Sequence, residues 1–166
     1  MPLLDTVFLT AAGVDRLAGR AWPEGVRLLN NRGVHGAKLR DYMLWALLAL
    51  HLRAPALAGS QAARRGQPVF TPAIAGRHLV VVGTGDLGGA AASAGRALGM
   101  TVTGISRQGR SHPACDRVLA GTDLDAVLPR AEALVLACPL TAATRGMLDA
   151  RRLALLPAGA HVINVG

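Results

Sequence analysis

The rhythm of apolar and polar positions changes near residue 78. Before it, residues 6–10 (TVFLT) and 26–30 (VRLLN) are short apolar stretches that predict two strands. The AAGVDRL between them predicts a turn entering a helix, and Asn31-Arg32-Gly33 marks another turn. Residues 37–52 then carry a helical pattern whose second half is apolar on nearly every side. A helix of that kind is buried or lies in an interface. Pro55 is expected to stop it. Residues 54–77 are rich in Ala, Gly, Pro and Arg without a period, and predict an irregular surface connection.

After residue 77 the pattern becomes regular. His78–Val82 (HLVVV) is a short continuous apolar run, the mark of a parallel strand buried on both faces. Residues 86–98 predict a helix, Thr101–Ser106 (TVTGIS) a β-branched strand, and residues 117–119 a weak strand. A short helix over 123–128, a strand over 133–138, a helix over 149–155 with Asp149 as its N-cap, and a strand over 160–165 complete the series. Strands alternating with helices at this spacing predict an α/β fold with a parallel sheet.

One motif sits at the junction where chemistry is expected. Gly83-Thr84-Gly85-Asp86-Leu87-Gly88 fits G-x-G-x-x-G, directly after a predicted strand and opening a predicted helix. Gly83 permits the tight turn, Gly85 lets a pyrophosphate approach the backbone, and Gly88 lets the helix pack closely on the sheet. The amides near Asp86 and Leu87 are expected to face the phosphates at the helix N-terminus. The Asp86 carboxylate opposes an anion there, and is tolerated if its side chain turns to solvent and caps the helix. The next strand ends in GISRQGR, where NAD-binding chains usually carry an acid for the ribose hydroxyls. Ser106, Arg107 and Arg110 stand there instead. Arg107 suits a 2′-phosphate and an adenine face, which favours NADP over NAD; the plainer reading is one more arginine in an arginine-rich chain.

Composition narrows the classes. Of 166 residues 51% are apolar and 17% charged, so the chain can bury a core and a disordered chain is excluded. The net charge of +8 comes from arginines scattered along the sequence, with Lys38 the single lysine, and the aromatic content is 3%. Dispersed charge and few stacking rings argue against nucleic-acid binding. The longest apolar run, residues 42–50, is about half of what a membrane span needs, so no membrane role is expected. Cys115 and Cys138 neither staple the fold nor show metal-ligand spacing, and a soluble cytoplasmic protein without a metal site is expected.

Taken together, AAGVDRL (11–17), LLNNRGVHGAKLRDYMLWALLALHLR (28–53), LVVVGTGDLGGAAASAGRALGMTVTGISR (79–107) and ALVLACPLTAATRGMLDARRLALLPAGAHVINVG (133–166) resemble the D-isomer-specific 2-hydroxyacid dehydrogenases. That family includes glyoxylate and hydroxypyruvate reductases. The resemblance implies a C-terminal remnant of a flavodoxin-like substrate domain over residues 1–34. It implies a Rossmann-type doubly wound sheet, through its first five strands, over 35–166. Ala12 and Gly13 would hold the substrate carboxylate, and Asp86 and Leu87 the pyrophosphate. Arg107 would read the adenosine ribose, with Ser106 beside it as a further cofactor-binding position; Pro139 and Thr144 would line the ribose and phosphate, and Val165 and Gly166 would lie beside the nicotinamide. The 37–52 helix resembles the family's dimer interface, although the usual Ala-Glu pair is Arg40-Asp41 here.

The family's catalytic Arg, Glu and His are expected beyond residue 166, so none is assigned within the chain. His35, His51, His78, His112 and His161 have no carboxylate at a dyad spacing and are read as non-catalytic. The leading expectation is a piece of an NADPH-preferring reductase of small 2-oxo acids, itself binding cofactor without turnover. The alternative is a non-catalytic NADP-binding or regulatory module. Exposed strands at both ends are expected to favour association.

Overall fold

The computed structural model describes residues 4–11, 13, 17 and 21–166. Near the N-terminus β1 (Thr6–Leu9) and β2 (Arg27–Asn30) pair in parallel, Thr6 opposite Arg27. Most of the AAGVDRL turn lies outside the described residues. Asn31 ties the segment after β2 to the end of β1, its backbone N–H donating to the Ala11 carbonyl at 3.3 Å.

Helix α1 (Gly36–His51) follows, and then the largest departure from the sequence reading. Residues 54–77 are not irregular throughout, because α2 spans Ala54–Ala62. Pro55 does not end α1. The chain turns at Arg53, whose φ of 55° is left-handed, and Pro55 sits in the first turn of α2, where a missing N–H costs nothing. The two helices meet at 64°, and among the described residues no single helix is long and apolar enough to cross a membrane.

The remaining strands form one parallel sheet in the order β5-β4-β3-β6-β7. They are β3 (His78–Val82), β4 (Thr101–Ser106), β5 (Arg117–Ala120), β6 (Ala133–Leu136) and β7 (His161–Asn164). The chain enters at the central β3, steps out to β4 and β5, then returns across β3 to β6 and β7. Between β3 and β6 the direction of winding reverses, and a crevice opens there at the C-terminal ends of the strands. Helix α3 (Asp86–Ala97) joins β3 to β4. The predicted 123–128 helix is a composite: α4 (Leu124–Val127) flanked by 3-10 turns at Gly121–Asp123 and Leu128–Arg130. The short α5 (Ala150–Leu153) is capped as expected, Asp149 accepting the Arg152 N–H at 2.8 Å.

Alternation along β3 divides the core. Leu79 and Val81 pack under α1 and α3 with Met43, Leu47, Ala91 and Val135. Val80 and Val82 face the other side, with Ile105, Leu124, Leu128 and Leu134. All four β3 residues are at most 3% exposed, and each such Val or Leu contributes about 1.5–3 kcal/mol by its burial. Helix α3 buries Gly88, Gly89, Ala91, Ala92, Ala94 and Gly95, small residues that bring its axis close to the sheet. Helix α1 buries Met43, Ala46, Leu47 and His51 but leaves Tyr42 and Trp45 exposed, so it is covered on one side only.

Candidate functional site

The crevice at the winding reversal is a cleft of about 670 Å³. Three glycines shape its floor, each for a different reason. Gly83 has a φ of 91°, and a Cβ there would lie 2.8 Å from the Ala137 carbonyl oxygen and the Cys138 nitrogen. Gly88 packs its Cα against the Gly83 carbonyl, where a Cβ would overlap the oxygen. Gly85 differs from both: it is exposed, and a Cβ on it would meet nothing within 4 Å. The backbone at Gly85 is therefore open to an incoming group, at the N-cap of the twelve-residue α3.

The end of β4 forms the cleft's second wall, with Ser106, Arg107 and Arg110 lining it together. Ser106 Oγ is buried and has no hydrogen-bond partner among the described residues. An orphaned hydroxyl in such a place is a group waiting for a ligand atom or water. Arg107 and Arg110 are exposed, and among the described residues neither is ion-paired.

The third wall is the loop after β6. That strand ends at Leu136, two residues earlier than its sequence suggests, which frees Cys138 and Pro139 to line the cleft. Thr144 Oγ1 donates to the Pro139 carbonyl at 2.6 Å and accepts the Thr141 N–H at 2.8 Å, so Thr144 shapes this loop internally. Arg152 anchors the far end, donating to the Met147 carbonyl and to Asp125 Oδ1, each at 2.6 Å. Those bonds from Arg152, and a second set from Arg151, hold the Asp125 carboxyl below its ordinary pKa. Cys138 Sγ meets Met147 Sδ at 3.5 Å, and burial pushes the Cys138 thiol up, away from the reactive thiolate. Val165 and Gly166 do not line the cleft but lie against the start of the same loop: Val165 N–H donates to Leu136 O at 2.8 Å, and Gly166 abuts the Cys138 backbone.

Asp86 corrects the sequence reading. It does not cap α3, because Gly85, which has no side chain, holds the N-cap position. Its Oδ2 instead accepts from Arg32 Nε at 3.0 Å, across 54 residues of chain. Leu87, next in the first turn, is half-buried. Of the two residues expected to hold a carboxylate, Gly13 is exposed after β1 and Ala12 lies outside the described residues.

His112 joins the cleft wall along with Gln108 and Ser111, and no local pattern in the chain marks it. Its ring fills the space beside Gly89, where a Cβ would come within 2.8 Å of Nε2. The other histidines lie elsewhere: His35 precedes α1, His51 bonds the Pro72 carbonyl at 2.7 Å, and His78 and His161 begin their strands at the opposite end of the sheet. Among the described residues no three His, Cys, Asp or Glu side chains cluster as a metal site.

Comparison with known proteins agrees with this geometry. Residues 44–166 match the family "D-isomer specific 2-hydroxyacid dehydrogenase, NAD binding domain". An uncharacterised protein in the mprR 3′ region of Streptomyces coelicolor is 37% identical over 159 residues, 93% of this chain and 56% of its own length. A D-isomer specific 2-hydroxyacid dehydrogenase from Xanthobacter autotrophicus Py2, solved in complex with NADPH and MES, superposes with a TM-score of 0.88 at 31% identity. That match covers 98% of this chain and 52% of the other. The NADPH-dependent glyoxylate/hydroxypyruvate reductase of Sinorhizobium meliloti, in complex with NADP and sulfate, gives 0.85 at 30% identity, covering 99% and 54%. The chain thus spans about half the length of the relatives it matches. With its five-stranded Rossmann-type sheet and this match, the chain belongs to the D-isomer specific 2-hydroxyacid dehydrogenases and carries their NAD binding domain.

Proposed function

We propose that the chain binds NADPH in preference to NADH and belongs to a reductase of small 2-oxo acids of the glyoxylate or hydroxypyruvate type. The observation that carries this is the end of β4. Among the described residues the buried Ser106 hydroxyl there has no hydrogen-bond partner and Arg107 and Arg110 beside it have no ion-pair partner, and the GISRQGR stretch holds no acid. Two guanidinium groups and a hydroxyl suit a 2′-phosphate, whereas a ribose diol calls for a carboxylate. Exposed Gly85 and the first-turn amides of Asp86 and Leu87 suit the pyrophosphate. Pro139 and Thr144 border the middle of the cofactor, and Val165 and Gly166 the nicotinamide end. The NADPH and NADP complexes of the two solved relatives support the same choice.

When bound, the nicotinamide supplies a hydride to C2 of the 2-oxo acid. The residues of this chain hold and orient that cofactor. In this reading residues 1–34 belong to the substrate domain, with the backbone at Ala12 and Gly13 facing the acid's carboxylate, and residues 35–166 form the nucleotide domain. The protein works as a homodimer joined through α1, whose outer face carries Tyr42 and Trp45. Two free cysteines suit the reducing cytoplasm. Titration by isothermal calorimetry tests the reading. NADPH binding at least about tenfold tighter than NADH, roughly 1.4 kcal/mol, is expected. Equal affinities refute the preference, and no binding of either refutes the site.

A further inference from the structure

We propose that Arg32, which lies outside the nucleotide domain as divided above, is the counter-ion that lets the N-terminus of α3 accept a pyrophosphate despite Asp86. The inference rests on the dinucleotide reading above and assigns a new determinant of affinity to that site.

The problem begins with the sequence. Asp86 is the first-turn acid of α3, at the end of the helix where amides and dipole favour an anion. A bare carboxylate a few ångströms from two phosphates opposes their binding, by about threefold to tenfold in affinity for one solvated like charge. The structure answers with a cation from elsewhere in the chain. Arg32 belongs to the turn between β2 and α1, and its Nε lies 3.0 Å from Asp86 Oδ2. Every other ion pair among the described residues joins positions within 77–152, so this one alone crosses from the segment before α1.

Stability does not account for the pair. The two side chains are 72% and 40% exposed, and ion pairs so open to water add little to a fold. What the pair does change is the field at the cleft mouth. Arg32 uses only Nε on Asp86, and among the described residues its two terminal nitrogens have no partner. A guanidinium presents its donors as a fork, so Arg32 can hold Asp86 with one edge and offer the other to a phosphate oxygen.

Four variants test this: Arg32→Gln, Arg32→Lys, Asp86→Asn and the Arg32→Gln/Asp86→Asn double. Each is titrated at low ionic strength with NADPH and with adenosine 2′-monophosphate, which lacks the pyrophosphate but keeps the group facing Arg107. Arg32→Gln is expected to weaken NADPH about threefold to tenfold, Arg32→Lys to keep most of the affinity, and the double variant to recover the part lost to the uncovered Asp86 charge. Binding of adenosine 2′-monophosphate should change less than about twofold throughout, and the NADPH effect should shrink in high salt. Arg32→Gln binding NADPH like wild type, or losing both ligands equally, overturns the proposal. Wild-type protein that binds neither ligand overturns the dinucleotide reading itself, which separates the two failures.

Discussion

His78 and Thr103 meet across β3 and β4, with Nε2 and Oγ1 2.7 Å apart. Thr103 is fully buried, and its oxygen also accepts from Arg117 Nε at 3.1 Å. The imidazole thus sits in a polar row at the start of the strands, far from the cleft. Burial lowers its pKa, and the charges of Arg117 and Arg130 lower it further against the smaller raising effects of the Arg130 backbone and Glu132. His161 is lowered in the same way, by burial first and then by His51 and Arg77.

A base whose native pKa is depressed is held neutral by the fold, so as pH falls the unfolded chain takes up the proton first. Stability is therefore complete above the unfolded value of about 6.5 and is lost as pH drops below it toward the native pKa. The melting temperature should fall between about pH 7.5 and 5.5, and His78→Asn/His161→Asn should flatten that slope. The Asp125 effect belongs to a lower window, because its depressed pKa contributes above the ordinary carboxylate range and is lost below it. A melting temperature constant from about pH 7.5 to 5.5 in the wild type would contradict the argument.

The three motif glycines separate folding from binding. Gly83→Ala meets both a left-handed φ of 91° and backbone atoms at 2.8 Å, and Gly88→Ala drives a methyl into the Gly83 carbonyl. Each should cost about 2 kcal/mol or more and lower the melting temperature by several degrees. Gly85→Ala meets nothing within 4 Å, so it should cost about 1 kcal/mol or less, the loss of a good N-cap residue. Its methyl would stand where the phosphates approach, so NADPH affinity should fall by about tenfold or more. Calorimetry of unfolding and of binding on the same three variants checks the pattern. A Gly85→Ala variant that binds normally would contradict it.

That contrast shows why the fold was largely legible and the cleft only partly. Runs such as HLVVV and the G-x-G-x-x-G spacing are local, and local patterns report strands, turns and close backbone approaches directly. Helix α2 escaped because none of its residues is buried, so no apolar stripe marks it. It starts after the left-handed Arg53, where the chain changes direction. Arg32 and Asp86, 54 residues apart, and His112 against Gly89 are tertiary meetings with no periodic signature. Ser106 was expected in the site, but its orphaned hydroxyl depends on what surrounds it in space.

Arg107 is the residue on which cofactor choice should turn. Removing its charge with Arg107→Gln should weaken NADPH by about tenfold to a hundredfold, since a charge-assisted fork to a phosphate is lost. NADH has no 2′-phosphate, so its affinity should change little. Arg110→Gln should act in the same direction with a smaller effect if Arg107 makes the direct contact. The ratio of the two dissociation constants, measured for both variants, is the deciding quantity. A loss shared equally by NADPH and NADH would mean that Arg107 supports the loop or the adenine and does not read the phosphate.

The outward face of α1 makes the last prediction. Trp45 is 65% exposed and Tyr42 47%, one helical turn apart, with ring centroids 5.8 Å from each other. Their neighbours Met43, Ala46 and Leu47 are buried on the opposite side, so the aromatic pair contributes nothing to the core beneath it. Large aromatic side chains left open in this way are characteristic of the buried centre of a subunit interface. Trp45→Glu places a charge at that centre, where an unpaired buried charge opposes association. Light scattering should then find a dimer for the wild type and a monomer for Trp45→Glu, with an unchanged circular dichroism spectrum because the substituted side chain faces solvent in the single chain. Wild-type protein that stays monomeric at high concentration would refute the α1 interface. A Trp45→Glu dimer as tight as the wild type would move the interface to another face.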